Sequence, residues 1–176
     1  MKDLTEKEIS SQSIYRGAIL NLKRDTVSLP DGKTAYREIV EHRGGSSVVC
    51  VKDGKILLVR QFRYAIGEEV LEIPAGKLEK GENPMETAKR ELEEEGGIIA
   101  DELFLLAEIY PTPAYSKEHI YVYLAKGLSE GKMHLDDTEF LSTCWLDFDK
   151  AYDMVLNGEI KDAKTVVGIL KYKALA

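Results

Sequence analysis

The chain has 176 residues, 44% hydrophobic and 31% charged, enough for one well-buried domain with a small appendage. Its net charge of −7 argues against a general nucleic-acid binder, because no long basic patch is left to neutralise phosphates; an anionic nucleotide can still bind where metal ions stand between it and the protein. No apolar run approaches the roughly 18 residues that span a bilayer. The opening MKDLTEKEIS lacks the apolar core of a signal peptide, so a cytoplasmic protein without membrane partners is expected.

In chain order, Asp31-Gly32 reads as a turn between two extended runs, residues 22–29 and 34–42. These runs are rich in polar residues (Lys23, Arg24, Asp25, Arg37, Glu38, Glu41) and cannot make a core alone. Residues 1–43 are therefore expected to form a small β subdomain that leans on the rest of the chain or on a second subunit. The main domain, 44–176, opens near Gly44-Gly45. Residues 47–51 and 55–61 predict a hairpin about Asp53-Gly54, apolar enough for burial on both faces. Further strands are expected at 103–110, 120–125 and 140–146. Residues 147–156 are amphipathic through Phe148, Ala151, Tyr152 and Val155, with Gly158 as a stop, and a last helix from about Ala163 carries Val166, Ile169 and Leu170. This mixture predicts an α/β (α+β) fold, a sheet with helices on both faces. Cys50 and Cys144 lie in apolar strand-like runs without His or Cys at ligand spacing, so two buried free thiols are expected.

Residues 76–98, GKLEKGENPMETAKRELEEEGGI, carry the most information. Asn83 suits an N-cap, Pro84 the first helical position, and Glu86 the third position of a capping box. Met85, Ala88 and Leu92 recur at helical spacing as a buried stripe, and Gly96-Gly97 ends the helix. Glu91 and Glu95 project together, with Glu94 beside them. Acidic residues crowd the C-terminal turns, where the helix dipole disfavours them by roughly 0.3–1 kcal/mol each. That cost is small enough for a solvated acidic face. The other reading is a divalent cation that relieves the repulsion, and hard oxygen ligands suit magnesium or manganese.

The same stretch resembles the Nudix box at every fixed position: Gly76, Glu82, Arg90, Glu91, Leu92, Glu94, Glu95, Gly97 and Ile98. The flanks narrow the resemblance. Residues 57–77, LLVRQFRYAIGEEVLEIPAGK, are similar to the RQ-aromatic-R and LE-aliphatic-PAG segments of ADP-ribose pyrophosphatases within that family. Residues 111–118, PTPAYSKE, look like that subfamily's loop, with Pro113 in place and Ala114 where Gly is frequent. By residue type alone, Glu69 and Glu72 also read as strand-face carboxylates, Arg63 as a surface cation, and Pro111 and Pro113 as strand ends.

The resemblance implies a Nudix α/β/α sandwich with a mixed sheet, and a site for Mg2+, with Mn2+ as the alternative. Glu91 and Glu95 would be the principal ligands, joined by Glu94 and the Ala75 carbonyl, with Arg90 bracing the carboxylates. Glu139, in the acidic loop 134–139, matches the family's catalytic or metal-binding loop glutamate, with Asp136, Asp137 and Glu118 as alternatives. Arg63 would grip the pyrophosphate, since a guanidinium offers it bidentate donors. Glu72, Gly76, Pro113 and Tyr115 are further substrate candidates, as are Arg37, Tyr15 and Tyr36 by location. The implied reaction is attack of water on the pyrophosphate of ADP-ribose, giving AMP and ribose 5-phosphate. Another nucleoside diphosphate sugar, such as ADP-glucose or GDP-mannose, is the near alternative. A non-catalytic nucleotide-binding Nudix domain is the distant one, since such a domain is expected to lose box carboxylates or to carry a DNA-binding segment. The resemblance also implies a homodimer with exchanged N-terminal strands.

Overall fold

The structure is a computed structural model that describes residues 3–136 and 139–175. The chain divides into two compact units, residues 1–44 with 110–119, and residues 45–109 with 120–176.

The first unit is an antiparallel sheet of β1 (Lys7–Arg16), β2 (Asn21–Ser28) and β3 (Thr34–Glu41), in that order. β2 and β3 are the two expected strands, joined by a turn in which Gly32 takes a φ of 84°. β1 was not expected. All ten of its residues are exposed, so KEISSQSIYR carries no inside–outside alternation to read. Residues 110–119 join this unit rather than their neighbours in sequence. The Val40 N–H donates to the Tyr115 carbonyl at 2.7 Å, and the Lys117 N–H to the Val40 carbonyl at 2.9 Å.

The second unit contains β4 (Gly45–Val49), β5 (Val51–Lys52), β6 (Lys55–Arg63), β7 (Glu68–Glu72), β8 (Ala75–Lys77), α1 (Pro84–Gly96), β9 (Ile98–Ile109), β10 (Ile120–Glu130), β11 (Leu141–Asp147), α2 (Phe148–Leu156) and α3 (Ala163–Leu175). One sheet runs β8-β4-β10-β9 and is mixed, since β10 lies parallel to β4 and antiparallel to β9. The other runs β11-β6-β5, with β7 also on β6. Asp53 and Gly54 both have positive φ, 50° and 73°, which matches the right-handed twist of the β5–β6 hairpin they join.

Side-chain alternation on the strands builds two cores. Val48 on β4 packs with Leu57, Ala88, Leu92 and Tyr123, the last turns of α1 closing that side. Its neighbour Val49 packs with Ile56, Leu58, Val122, Phe148, Ala151 and Ile169, on the side of α2 and α3. Helices thus cover both faces, and the second unit is an α/β/α sandwich with a mixed sheet. Gly168 allows α3 to sit close: a Cβ there would stand 2.7 Å from Val49 Cγ2.

Several local expectations need correction. Met85 is 36% exposed; it sits about 100° round the helix from the line through Pro84, Ala88, Glu91 and Glu95, so the buried stripe contains carboxylates instead. On α3 the buried face is Thr165, Gly168 and Ile169, and Leu170 is exposed. Cys50 is buried and its thiol is pushed up to about 12 by burial, but Cys144 falls with Ser142 on the exposed set of β11. β9 starts at Ile98 rather than 103, and β10 continues to Glu130. Among the described residues, no helix is long and apolar enough to cross a membrane.

Candidate active site

Helix α1 is fixed at both ends by local chemistry. The Asn83 side chain accepts the Met85 N–H at 2.9 Å, Pro84 opens the first turn, and Gly97 closes the helix in the left-handed region at φ 62°. Glu86 pairs with Lys89 at 3.3 Å instead of closing a capping box. Between these ends, Glu91 and Glu95 lie on the buried face, 7% and 3% exposed.

β8 comes to meet them. Its register against β4 pairs Gly76 with Ser46 and Ala75 with Ser47. The Ala75 N–H donates to Glu95 Oε2 at 2.8 Å. A Cβ on Gly76 would stand 1.8 Å from Glu91 Oε1, so any side chain at that position would displace the carboxylate. Arg90 gathers the rest: Nη1 donates to Glu91 Oε1 at 2.7 Å and Glu94 Oε2 at 2.8 Å, and Nε to Glu82 Oε1 at 3.2 Å. Burial opposes the charge on Arg90, but its carboxylate partners outweigh that and hold its pKa above the usual range. The Arg90 hydrogen bond in turn holds Glu82 down to about 2.

The two buried carboxyls behave in the opposite way. Burial pushes Glu91 up to about 7 against the pull of Arg90, with Glu94 and Glu139 adding to the rise. Burial likewise takes Glu95 up to about 8, opposed by the Ala75 N–H and Lys164 and reinforced by Glu91 and Glu139. Glu139 is exposed, yet close enough to act electrostatically on both. Its own N–H donates to the Asp136 carbonyl at 2.9 Å. The loop is tied to the helix at His134, whose N–H donates to the Glu94 carbonyl at 3.0 Å. Asp137 lies outside the described residues.

A second charged cluster adjoins the first. Arg63 grips Glu72 with two donors, Nε to Oε1 and Nη2 to Oε2, both at 2.6 Å. Lys164 also donates to Glu72 Oε2 and, at 3.0 Å, to Asp162 Oδ1. Burial alone would raise the Glu72 carboxyl, but Arg63 and Lys164 bring it below the usual value. Arg63, raised first by Glu72, also feels Glu95.

The second unit therefore brings together Ala75, Gly76, Arg90, Glu91, Glu94, Glu95 and Glu139, with Arg63 and Glu72 in electrostatic reach. Glu118, Pro113, Tyr115 and Arg37 belong to the first unit. There Glu118 stands 3.7 Å from His42, Tyr115 is 55% exposed, and Arg37 pairs with Glu6 at 2.9 Å. Lys164, Asp162 and Thr165 were not singled out from sequence. Asp162 before Ala163 is a readable cap signal, but nothing local ties it to Glu72. Two cavities, of about 380 and 410 Å³ and both touching Leu124, Lys126 and Tyr172, contain none of these residues.

The donor set fits a hard divalent cation: buried carboxylates whose mutual repulsion and desolvation a cation would relieve. Among the described residues, no three acidic, histidine or cysteine side chains form a ready-made ligand cluster. Arg90 and the Ala75 N–H hold Glu91 and Glu95 instead.

The pattern of the NUDIX domain matches residues 40–167. The chain belongs to the Nudix family. A second pattern, the nucleoside diphosphate sugar hydrolase N-terminal domain, matches residues 6–40. An ADP-ribose pyrophosphatase of Bacillus subtilis is 44% identical over 172 residues, covering 96% of this Nudix chain and 93% of the relative. A methanol dehydrogenase activator of Bacillus methanolicus is 41% identical, over 93% and 90% of the two chains. An ADP-ribose pyrophosphatase of Mycobacterium tuberculosis is 38% identical, over 95% and 83%. A crystal structure of an ADP compounds hydrolase superposes with a TM-score of 0.86, covering 99% of this chain and 96% of the other at 19% identity, which speaks for the fold alone.

Proposed function

We infer that this Nudix protein hydrolyses the pyrophosphate bond of ADP-ribose to AMP and ribose 5-phosphate, with Mg2+ as the preferred cation and Mn2+ as a substitute. The observation that carries the reading is the pair Glu91 and Glu95, buried side by side against Ala75 and Gly76. The ADP-ribose pyrophosphatases of B. subtilis and M. tuberculosis, similar over nearly the whole chain, support the choice of substrate.

Glu91 and Glu95 would hold the cation, helped by Glu94 and the Ala75 carbonyl. When bound, a divalent cation neutralises charge developing on the phosphate oxygens and lowers the pKa of water. The side chains supply the rest. Arg90 ties Glu91 and Glu94 to one nitrogen, and Gly76 leaves room for Glu91. Glu139 takes the proton as a water oxygen bonds to one phosphorus and the bridging P–O bond to it breaks; the other phosphate departs with the bridging oxygen, and AMP and ribose 5-phosphate result. Arg63 holds the diphosphate in line. Gly76, Pro113, Tyr115 and Arg37 are carried as substrate contacts, Glu72 as the carboxylate that holds Arg63, and Glu118 as the alternative to Glu139 in the catalytic role.

A cytoplasmic homodimer belongs to the same reading. The fully exposed β1, with Ile9, Ile14 and Tyr15 each more than half exposed, supports a partner for residues 1–43. Incubation with ADP-ribose, ADP-glucose and GDP-mannose in magnesium tests the substrate. Faster turnover of GDP-mannose would replace the substrate and keep the reaction class, whereas binding of ADP-ribose without product in either metal would leave a non-catalytic domain.

A further inference from the structure

We propose that Lys164 is a positioning residue for substrate: by sharing the charge of Glu72, it leaves Arg63 with positive charge to spend on a diphosphate. The inference rests on the reading that Arg63 receives the diphosphate.

The geometry begins with Glu72, 2% exposed at the end of β7. A carboxylate in that position must be paired, and Arg63 already commits its Nε and Nη2 to it. Were Arg63 the sole partner, the ion pair would be closed and the guanidinium would offer an incoming anion little net attraction. Lys164 changes this. Its ammonium, on a residue 8% exposed, shares Glu72 Oε2 with Arg63 Nη2, so the buried carboxylate has a second cation besides a guanidinium whose side chain is 44% exposed. Among the described residues Arg63 Nη1 has no hydrogen-bond partner, so one edge of the fork remains for an anion.

Lys164 is itself held in place. Asp162 accepts the Lys164 ammonium on Oδ1, and the Thr165 N–H and hydroxyl on Oδ2 at 3.0 and 2.6 Å, which makes it the cap of α3. The Thr165 hydroxyl oxygen also accepts the Ile73 N–H at 2.9 Å. The first turn of α3 thus clamps the chain at Glu72 and Ile73, two residues before Ala75 reaches Glu95. A residue that only filled space there would need neither an ammonium nor a shared carboxylate.

The test is a set of variants of the full chain, read as KM and kcat on ADP-ribose in magnesium, with thermal melting as the folding control. Lys164→Met is expected to raise KM about tenfold while kcat stays within about twofold, because the buried Glu72 then competes for Arg63. Adding Glu72→Gln should bring KM back to within about threefold of the parent, since the competing charge is gone. Lys164→Met placed on Arg63→Gln should cost nothing further. Equal falls in kcat and kcat/KM, or effects that add in the Arg63→Gln background, would overturn the proposal and leave Lys164 as part of the scaffold. If Lys164→Met does not fold, Glu72→Gln/Lys164→Met leaves no carboxylate unpaired at Glu72 and carries the test alone: a KM near the parent's supports the proposal, and one as high as that of Arg63→Gln overturns it. A parent enzyme that ignores ADP-ribose defeats the substrate reading separately. The same variants are then compared on whichever of ADP-glucose and GDP-mannose is cleaved, or on ADP binding by calorimetry if neither is.

Discussion

Two buried clusters of charge stand side by side in the second unit, and they are built on opposite plans. Around Glu72, two carboxylates meet two cations, and both oxygens of Glu72 are engaged. On and beside α1, three carboxylates, Glu82, Glu91 and Glu94, share Arg90, Glu95 has the Ala75 N–H instead, and the two most buried, Glu91 and Glu95, are pushed up to about 7 and 8. A balanced cluster holds its geometry without an added ion, and here it still leaves Arg63 Nη1 to face an anion. An unbalanced one is tolerated where an outside cation completes it, and that contrast separates the anion-facing side of this site from its cation-facing side.

The sharpest way to break the contrast is Glu95→Gln. The amide still accepts the Ala75 N–H, so the fold should persist and the metal-free protein should melt higher, while turnover falls at least about a hundredfold at saturating magnesium. Near-normal turnover would show that the imbalance on α1 has no catalytic purpose. Opening the balanced cluster should do the reverse. Asp162→Ala removes the α3 cap and a partner of Lys164, and should cost about 2–3 kcal/mol in urea denaturation; a loss below 0.5 kcal/mol would mean the clamp is decorative.

The pH response should also divide the two. Glu91 and Glu95 keep their protons to higher pH in the folded chain than in the unfolded one, where 4.5 is the ordinary value. Their contribution is therefore fully present below about pH 4.5, and is lost as pH rises through about 7 and 8. Metal-free protein should lose stability across that window, and Glu95→Gln should flatten the slope. An unchanged slope would place the excess charge elsewhere. Smallest of all, Asn83→Ala should cost about 1 kcal/mol through the lost cap and leave the pH slope untouched, as equilibrium unfolding at two pH values would show.

What could be read from sequence divides along similar lines. The ends of α1 were legible because Asn83, Pro84 and Gly97 act on their own neighbours, and the Nudix pattern placed Glu91 and Glu95 on one face. Met85 misled because apolar spacing alone assigns a buried face, and here carboxylates took the place of apolar residues on it. β1 was invisible because none of its side chains is buried. Lys164 was invisible because its partner Glu72 is 92 residues away, and a lysine near a helix start looks like any surface cation. Residues 110–119 were legible as a loop, but the pairing of Tyr115 and Lys117 with Val40 is long-range and left no local mark.

The junction at Gly97 bears on how this molecule moves. Helix ends ordinarily fray, and Glu95 sits in the last turn of α1, where fraying is most common. Here the Glu93 and Glu94 carbonyls are met by the Gly97 and His134 N–H groups, and Ile98 is already paired with Glu130 in the β9–β10 ladder. Unwinding that turn would require a strand to leave its sheet. Amide hydrogen exchange at Glu94 and Glu95 should accordingly be slow, close to that of the sheet rather than of a free helix end. The carboxylates are left with side-chain rotation as their main freedom, a nanosecond motion on a backbone that opens only with the surrounding core.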